Sequence, residues 1–298
     1  MKLVINMSFS KEIKEELSQL NNLTNKEEVK YELLGYLVSN NTIKLKNKIK
    51  YSTENEYNIN RFAKLLKNID LNDFSIDIQG KIFCIEFKIK NLETIKIDNF
   101  NISNYDQNEV TNFISKIENL SNIKALVRGI FMGSGSINNP NNNYHLELEL
   151  SNLDLIKVLT DILSKNSLSL KTIDNKIYIK DGEEISKFLA FIGCNKSVIT
   201  FEEIRVQRYM NNKVNRLVNC ETANLNKILN ASVKQINAIK RLKETGKFQS
   251  LDSSLKEIAE LRLEHPDMPT SELGNLLSKP LGKSGVNYRL KKIVELAD

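Results

Sequence analysis

Positively charged side chains are concentrated in the last thirty residues of the chain. These cations are Lys279, Lys283, Arg289, Lys291 and Lys292. No acidic residue interrupts the stretch from 279 until Glu295. A dense set of cations without neighbouring acids can neutralise a polyanion such as the DNA backbone. The segment is therefore a candidate nucleic-acid contact.

Apolar residues in the same stretch repeat at helical spacing. They occur at i, i+4, i+7, i+8 and i+11 and are Val286, Leu290, Ile293, Val294 and Ala297. This spacing predicts one buried stripe on an α-helix, with the cations outside it. Ser284 is the predicted N-cap of this helix.

The cationic helix is predicted to be the second member of a helix-turn-helix at about residues 270–298. Residues 269–272 give a helix start, and Leu273, Leu276 and Leu277 give a second apolar stripe. Residues 278–282 form the predicted turn, and a third helix over 255–264 supports the pair. In this motif the second helix docks its N-terminal residues in the major groove. The segment therefore predicts binding to double-stranded DNA.

The predicted DNA contacts divide by chemistry. Cations pair with phosphates, whereas amide and hydroxyl groups carry the donors and acceptors that read base edges. The predicted phosphate contacts are Lys283, Arg289, Lys291 and Lys292. The predicted base contacts are Ser284, Asn287 and Tyr288, and Gly285 shares their face.

The length of the chain and the distribution of its charge indicate how many domains it has and where a polyanion would bind. The 298 residues suffice for two or three domains. Residues 201–298 hold 17 Lys and Arg against 12 Asp and Glu, whereas residues 1–200 hold 26 against 25. The net charge of +6 therefore lies almost entirely in the C-terminal third. Three widely spaced cysteines and the lack of any long apolar run predict a cytoplasmic protein with no cofactor, zinc module or membrane span.

The first two hundred residues contain one arrangement twice, which predicts an α+β fold with helices on antiparallel sheets. In both copies a helix is followed by two strands, a second helix and two further strands. The first copy is assigned to 25–38, 42–51, 56–60, 61–69, 74–79 and 81–90; the second is assigned to 122–132, 135–138, 144–151, 153–165, 168–173 and 176–180, with a closing helix at 183–191. An internal duplication explains this most economically. The predicted domains are an arm (1–24), two repeats (25–100 and 122–203) joined by a linker (101–121), and an all-α DNA-binding domain (204–298).

Equivalent points in the two copies are the segments 33–43 and 127–137, whose first glycines, Gly35 and Gly129, lie 94 residues apart. Both segments resemble the LAGLIDADG pattern of homing endonucleases. In that family two such helices pack through small residues, and each delivers an Asp that holds the metal ions for DNA cleavage. Asn40 and Ser134 stand where those acids are expected. Because an amide and a hydroxyl offer no anionic oxygen to a divalent cation, the resemblance implies a metal-free, inactive scaffold.

The outer faces of the predicted sheets give opposing signals about DNA. In the strand over 144–151, Leu146 and Leu148 alternate with the acidic Glu147 and Glu149, and an acidic face would repel phosphate. Lysines share faces in the first copy, in the pairs Lys44 with Lys46 and Lys88 with Lys90. A scaffold or protein-contact role is favoured for this core.

Residues 204–230 and 232–244 have the pattern of two helices. Their apolar side chains are expected to pack against the helix-turn-helix, and they are Val206, Met210, Leu217, Leu225, Ile228, Leu229, Ile236, Ile239 and Leu242. Arg205, Arg208, Lys213 and Arg216 are candidates for further phosphate contacts, with a solvated helix face as the alternative.

Nearly the whole chain from Met7 resembles the WhiA family, bacterial regulators linked to sporulation and cell division that join a degenerate LAGLIDADG-like domain to a C-terminal helix-turn-helix. The most specific segments are 215–216, 219–224, 257–263 and 283–290. A family start at Met7 makes residues 1–6 an expected upstream extension or the product of an alternative start. The resemblance implies a nucleoid-associated transcription regulator of cell-division or chromosome-segregation genes, with other proteins of the transcription or division machinery as further partners.

The sequence shows neither a phosphate-binding loop nor a histidine-based catalytic site. The run Gly282-Lys283-Ser284 lacks the upstream glycine of a phosphate-binding loop, since position 277 is Leu277. His145 and His265 lie in no catalytic spacing.

Two alternatives to a DNA-binding regulator stay open: a metal-dependent homing endonuclease, active or relic, and an adaptor that binds protein or RNA. A single helix-turn-helix predicts a monomer or a weak dimer.

Overall fold

The computed structural model describes residues 8–106 and 108–297. The expected extension over residues 1–6 lies outside this range. The chain divides into two compact units between Arg208 and Tyr209. No helix in the described ranges is both long enough and apolar enough to cross a membrane.

The first repeat is a four-stranded antiparallel sheet with helices. After helix α1 (Phe9–Ser18), the repeat comprises α2 (Lys26–Leu37), β1 (Thr42–Lys44), β2 (Lys48–Thr53), α3 (Glu56–Asn68), β3 (Phe74–Gln79) and β4 (Ile82–Lys88). The strand order is β1-β2-β4-β3. A short hairpin, β5 (Lys96–Ile97) and β6 (Phe100–Asn101), and helix α4 (Asn108–Ile114) connect it to the second repeat.

The second repeat has the same topology. It comprises α5 (Leu120–Ser134), β7 (Gly135–Ile137), β8 (Leu146–Glu149), α6 (Leu153–Lys165), β9 (Lys171–Ile173), β10 (Lys176–Ile179) and α7 (Gly182–Ile192). Its strand order is β7-β8-β10-β9, which matches that of the first sheet strand for strand. The predicted α+β class with helices on antiparallel sheets is confirmed.

The predicted strand over residues 56–60 is wrong because these residues form the first turns of α3, and the region predicted as one strand over 42–51 holds two strands, β1 and β2. Asn55 caps this helix, and its side chain accepts a hydrogen bond from the Tyr57 N–H at 2.9 Å. Ile59 and Phe62 are then buried on the same side of the helix. The cap and the helical spacing outweigh the short alternating pattern.

Helices α2 and α5 pack closely because glycines line their contact. A Cβ at Gly35 would overlap the Leu126 carbonyl oxygen, and a Cβ at Gly129 would overlap that of Glu32. At Gly133 the added atom would overlap the Ser39 hydroxyl. Any larger residue would force the two backbones apart, so the predicted packing role of these glycines agrees with the structure.

A buried carboxylate lies beside this helix pair. Glu32 accepts hydrogen bonds from Arg61 Nε at 2.7 Å, Arg61 Nη2 at 2.8 Å and Arg128 Nη1 at 3.1 Å. Arg61 Nη1 also donates to the Leu20 carbonyl, and Arg128 Nε donates to that of Ile192. Burial raises the pKa of Glu32, but the hydrogen bonds and charges of the two arginines outweigh it and hold the pKa below its usual value of 4.5.

The C-terminal unit has its own core. Helix α8 (Asn195–Glu244) is followed by α9 (Ser253–Glu264), α10 (Thr270–Leu273) and α11 (Lys283–Ala297). The buried side chains that join these helices include Ile239, Leu242, Ile258, Leu273, Val286, Leu290 and Ile293. An all-α C-terminal unit is therefore present.

Helix α8 departs from the prediction in two ways. It is one continuous helix, not two, because no Gly or Pro occurs between residues 195 and 244. Only its last part packs on the C-terminal core. Five apolar residues predicted to pack there are exposed instead, namely Val206, Met210, Leu217, Leu225 and Leu229.

Candidate nucleic-acid interface

Helix α11 begins two residues earlier than predicted. The Val286 N–H donates to the Gly282 carbonyl at 3.2 Å, so Gly282 precedes the first helical residue, Lys283. Ser284 is therefore inside the first turn, and its prediction as the N-cap is wrong. The hydroxyl lies on the exposed surface of the turn.

The apolar stripe of α11 is confirmed. Val286, Leu290, Ile293 and Ala297 are buried, and Val294 packs against the same core. This anchoring fixes which side of the helix faces solvent. The predicted contact residues on that exposed surface are Lys283, Ser284, Asn287, Tyr288, Lys291 and Lys292. Tyr288 has 68% of its surface exposed.

Two predicted contact residues lie at the margin of this surface. Gly285 is partly buried beside Leu281. Arg289 is also partly buried, and its Nη1 donates to the Ser254 carbonyl at 3.4 Å, at the start of α9. Arg289 thus ties α11 to α9. The rest of its guanidinium group is the part available to a phosphate.

The connection between α10 and α11 depends on a glycine that the sequence did not mark. The Leu281 N–H donates to the Gly274 carbonyl at 3.0 Å, and a Cβ at Gly274 would overlap the Leu281 carbonyl oxygen. Gly282, the last residue of the predicted turn, has nothing within 4 Å of an added Cβ. Leu276, predicted to be part of the α10 stripe, is 48% exposed because residues 274–276 form a 3-10 helix and alter the spacing.

Two charged side chains of α9 fix the segments on either side of α10 by hydrogen bonds to their backbone. The Glu257 carboxylate on α9 accepts from the Ser278 N–H at 2.5 Å. Hydrogen bonds from the Ser278 backbone and side chain lower the pKa of Glu257. The buried Arg262 donates from Nη1 to the carbonyls of His265, Pro266 and Met268, at 3.3, 3.2 and 2.8 Å. Both residues position the helix-turn-helix, and sequence reasoning missed both because their partners are backbone atoms.

Asn40 and Ser134, which stand where the LAGLIDADG pattern has its metal-binding acids, lie in different surroundings. Asn40 is exposed in the turn after α2. Ser134 is the last residue of α5, and its hydroxyl donates to the Glu149 carbonyl at 2.5 Å. Within residues 8–106 and 108–297, no three His, Cys, Asp or Glu side chains are grouped so that they could hold a metal ion. Neither position offers the carboxylate that the LAGLIDADG chemistry uses.

Several charged side chains of the two sheets have ion-pair partners, whereas Lys46 and Lys90 are exposed and have none within the described ranges. Lys44 contacts Asp106 at 2.8 Å, and Lys50 contacts Glu86 at 3.6 Å. Lys88 lies 3.7 Å from Asp73. In the second sheet, Glu147 accepts from Lys176 at 3.2 Å. These pairs reduce the charge that either sheet presents to a polyanion.

Two of the four candidate cations on α8 have partners within the first unit. Arg205 pairs with Glu202 at 2.8 Å. Arg208 lies over the Tyr144 ring at 4.6 Å and donates to the carbonyls of Pro140 and Asn142. Lys213 and Arg216 are exposed.

Comparison with known proteins gives a consistent match along the chain. The model of the WhiA C-terminal HTH domain matches residues 214–297, and that of the WhiA LAGLIDADG-like domain matches residues 123–211. The chain is 36% identical to the "Probable cell division protein WhiA" of Clostridium novyi (strain NT) and 35% identical to that of Clostridium tetani (strain Massachusetts / E88), over 98% of each chain. The solved structure of full-length WhiA from Thermatoga maritima aligns over 98% of each chain, with 26% identity and a TM-score of 0.59.

Proposed function

The chain belongs to the WhiA family, and we propose that it is a DNA-binding regulator of cell-division and chromosome-segregation or sporulation genes. The observation that carries the proposal is the exposed surface of α11. Its apolar side is fixed in the core of the C-terminal unit, so cationic, amide and hydroxyl groups share the opposite side. A helix of this kind fits the major groove of duplex DNA.

The proposed contacts have separate roles. Lys283, Lys291 and Lys292 neutralise phosphates, and Arg289 contributes from the α9 edge. Lys291 also lies 3.6 Å from Glu295, but both side chains are largely exposed, so this pair competes weakly with a phosphate. Asn287, Ser284 and Tyr288 meet base edges. Gly285 keeps the entry to the helix free of a side chain.

The LAGLIDADG-like unit is proposed to be catalytically inactive. Asn40 and Ser134 replace the carboxylates, and the Ser134 hydroxyl already donates to a backbone carbonyl. Incubation of the chain with supercoiled plasmid and Mg²⁺ is expected to leave the plasmid intact. Cleavage that a chelator abolishes would contradict this part of the proposal and favour a nuclease.

The setting proposed for the chain is the nucleoid in the cytoplasm, with double-stranded DNA and proteins of the transcription or division machinery as partners. A single helix-turn-helix offers a limited surface, so the chain acts as a monomer or a weak dimer.

Mapping of the DNA crosslinked to the chain in cells tests the proposed function. Wild-type protein is expected at a defined set of sites near division or segregation genes. The variant Lys291→Ala/Lys292→Ala is expected to lose most of this occupancy at equal protein level. A matched control, Lys26→Ala/Lys157→Ala, removes two exposed lysines from the first unit and should retain it. Equal occupancy for the α11 variant and the control would refute the role of α11.

A further inference from the structure

The largest excess of positive charge in the chain is on α8. Residues 204–243 contain nine Lys and Arg but one acid, Glu221. This segment alone exceeds the net charge of +6 for the whole chain. By the same count, residues 283–297 of α11 contain four cations and one acid. Over its full length, Asn195–Glu244, helix α8 contains ten Lys and Arg against four acids, so its net charge of +6 is larger than the +3 of α11.

Five of these cations lie along one side of the helix. They are Lys213, Arg216, Lys227, Lys234 and Arg241, and we call them the α8 stripe. Counting from Tyr209 in alternating steps of four and three residues gives a series of positions that includes all five cations. The other positions in this series, such as Asn230, hold neutral residues. Such steps keep side chains on one helix face. From Tyr209 to Arg241 the series spans about 48 Å at ~1.5 Å per residue.

The α8 stripe is open to solvent. All five cations are exposed, including Lys234 and Arg241, which lie on the part of α8 that packs on the C-terminal core. Buried residues of that part, such as Ile239 and Leu242, lie on another side. No ion pair within the described ranges involves a cation of the stripe. Arg205 and Arg208, by contrast, already have intramolecular partners.

Glu221 and several of the exposed apolar residues of α8 lie away from the stripe. Glu221 comes one residue after a position of the series, which is about 100° around the helix. Met210 and Leu217 neighbour Lys213, but the exposed Val218, Leu225 and Leu229 lie more than about 100° around the helix from every cation of the stripe. A protein partner that covered these three apolar residues would therefore leave most of the cations free. A polyanion with negative charges along a line of tens of ångströms complements the stripe.

We infer that the α8 stripe is a second DNA-binding surface, which follows the phosphates of a duplex without reading its sequence. The inference rests on the proposed function, because it adds a surface to a protein that binds DNA through α11. The five cations extend over about 42 Å at ~1.5 Å per residue, and a line of cations of this length complements a duplex backbone, which carries one charge per about 1.7 Å of axis. Single strands are bound mainly by rows of aromatic side chains, and Tyr209 is the sole aromatic residue of the series.

The test compares two triple variants of the full chain. Arg216→Ala/Lys227→Ala/Lys234→Ala removes three charges from the stripe and keeps α11 unchanged. The control Lys26→Ala/Lys157→Ala/Lys165→Ala removes three exposed charges from the first unit. Affinity for a labelled duplex several helical turns long is measured by fluorescence anisotropy across a salt series. Circular dichroism and sedimentation velocity establish the helix content and the association state of each protein.

The stripe variant is expected to bind every duplex more weakly, and its log–log salt slope should flatten by about two to three units relative to wild type. Hydroxyl-radical footprinting should show that it loses protected phosphates outside the α11 site. The control should match wild type.

The contrary outcomes are distinct. If wild type binds duplex DNA and the stripe variant keeps its slope and footprint, this inference fails and the proposed function stands. If wild type itself does not bind, the proposed function fails. Loss of affinity that accompanies loss of self-association would assign the stripe to a protein interface. Equal competition by duplex RNA and duplex DNA would reject the assignment to DNA.

Discussion

The arginines beside α2 and the lysines of α11 are cations in opposite environments. Arg61 and Arg128 are buried, and they direct their donors to Glu32 and to backbone carbonyls. Lys283 and Lys292 are exposed, and no acid in the described residues pairs with either. The difference shows that a cation is available to a polyanion only where the fold leaves it without an internal acceptor. Its chemistry comes from the three-dimensional setting more than from its residue type.

The largest effect is expected from Glu32→Gln. This change leaves two buried guanidinium groups without a counter-charge and should lower the free energy of unfolding of the first unit by about 3–5 kcal/mol at neutral pH. Chemical denaturation of the wild type and the variant measures this difference. A loss below 1 kcal/mol would mean that the two arginines find other acceptors. A fixed internal partner would then no longer distinguish them from the exposed cations of α11.

The same pair of proteins tests the pH dependence. Because the pKa of Glu32 in the folded chain lies below the usual 4.5, its contribution to stability is complete above that pH and is lost as the pH falls through the folded-state pKa. The stability difference between wild type and Glu32→Gln should therefore shrink in acid. A difference that grows as the pH falls would contradict the stated direction of the pKa shift.

Gly129→Ala should destabilise the first unit by about 3 kcal/mol, since the new Cβ would overlap the Glu32 carbonyl oxygen and push α2 and α5 apart. Thermal unfolding measures the loss. Gly282→Ala is the matched control, because its Cβ would meet nothing within 4 Å. If both variants melt like the wild type, the helix contact does not limit stability.

Asn287→Ala tests base reading on the exposed side of α11. The variant should lose about 1–3 kcal/mol of binding free energy at preferred sequences, because an amide that pairs with a base edge is removed. Affinity for unrelated duplexes should stay the same, since phosphate contacts are intact. Competition binding with preferred and random duplexes gives both values. An equal loss of affinity for the preferred and the random duplex would indicate that Asn287 contacts the DNA backbone and not a base.

The fold was predictable where local signals agreed with tertiary packing. Helix α6 has the predicted bounds, 153–165, because Asn152 caps it and its apolar residues repeat at helical spacing. The stripe of α11 was predictable for the same reason. The strand over 56–60 failed because five alternating residues are a weak signal beside the Asn55 cap.

The parts of the candidate site that escaped prediction depend on long-range contacts. Arg208 and Arg289 have the same residue type as phosphate-binding arginines, yet backbone carbonyls of distant segments accept their hydrogen bonds. Gly274 is required because Leu281 approaches it across the turn. The exposure of α8 was also missed, since its apolar residues suggested a buried helix.

The salt dependence of duplex binding tests the central claim most directly. The claim is that the exposed cations of α11 neutralise DNA phosphates. For Lys291→Ala/Lys292→Ala, the log–log slope of affinity against salt is expected to flatten by about one to two units on every sequence, while Lys26→Ala/Lys157→Ala keeps the wild-type slope. An α11 variant with the slope and affinity of wild type would contradict the account.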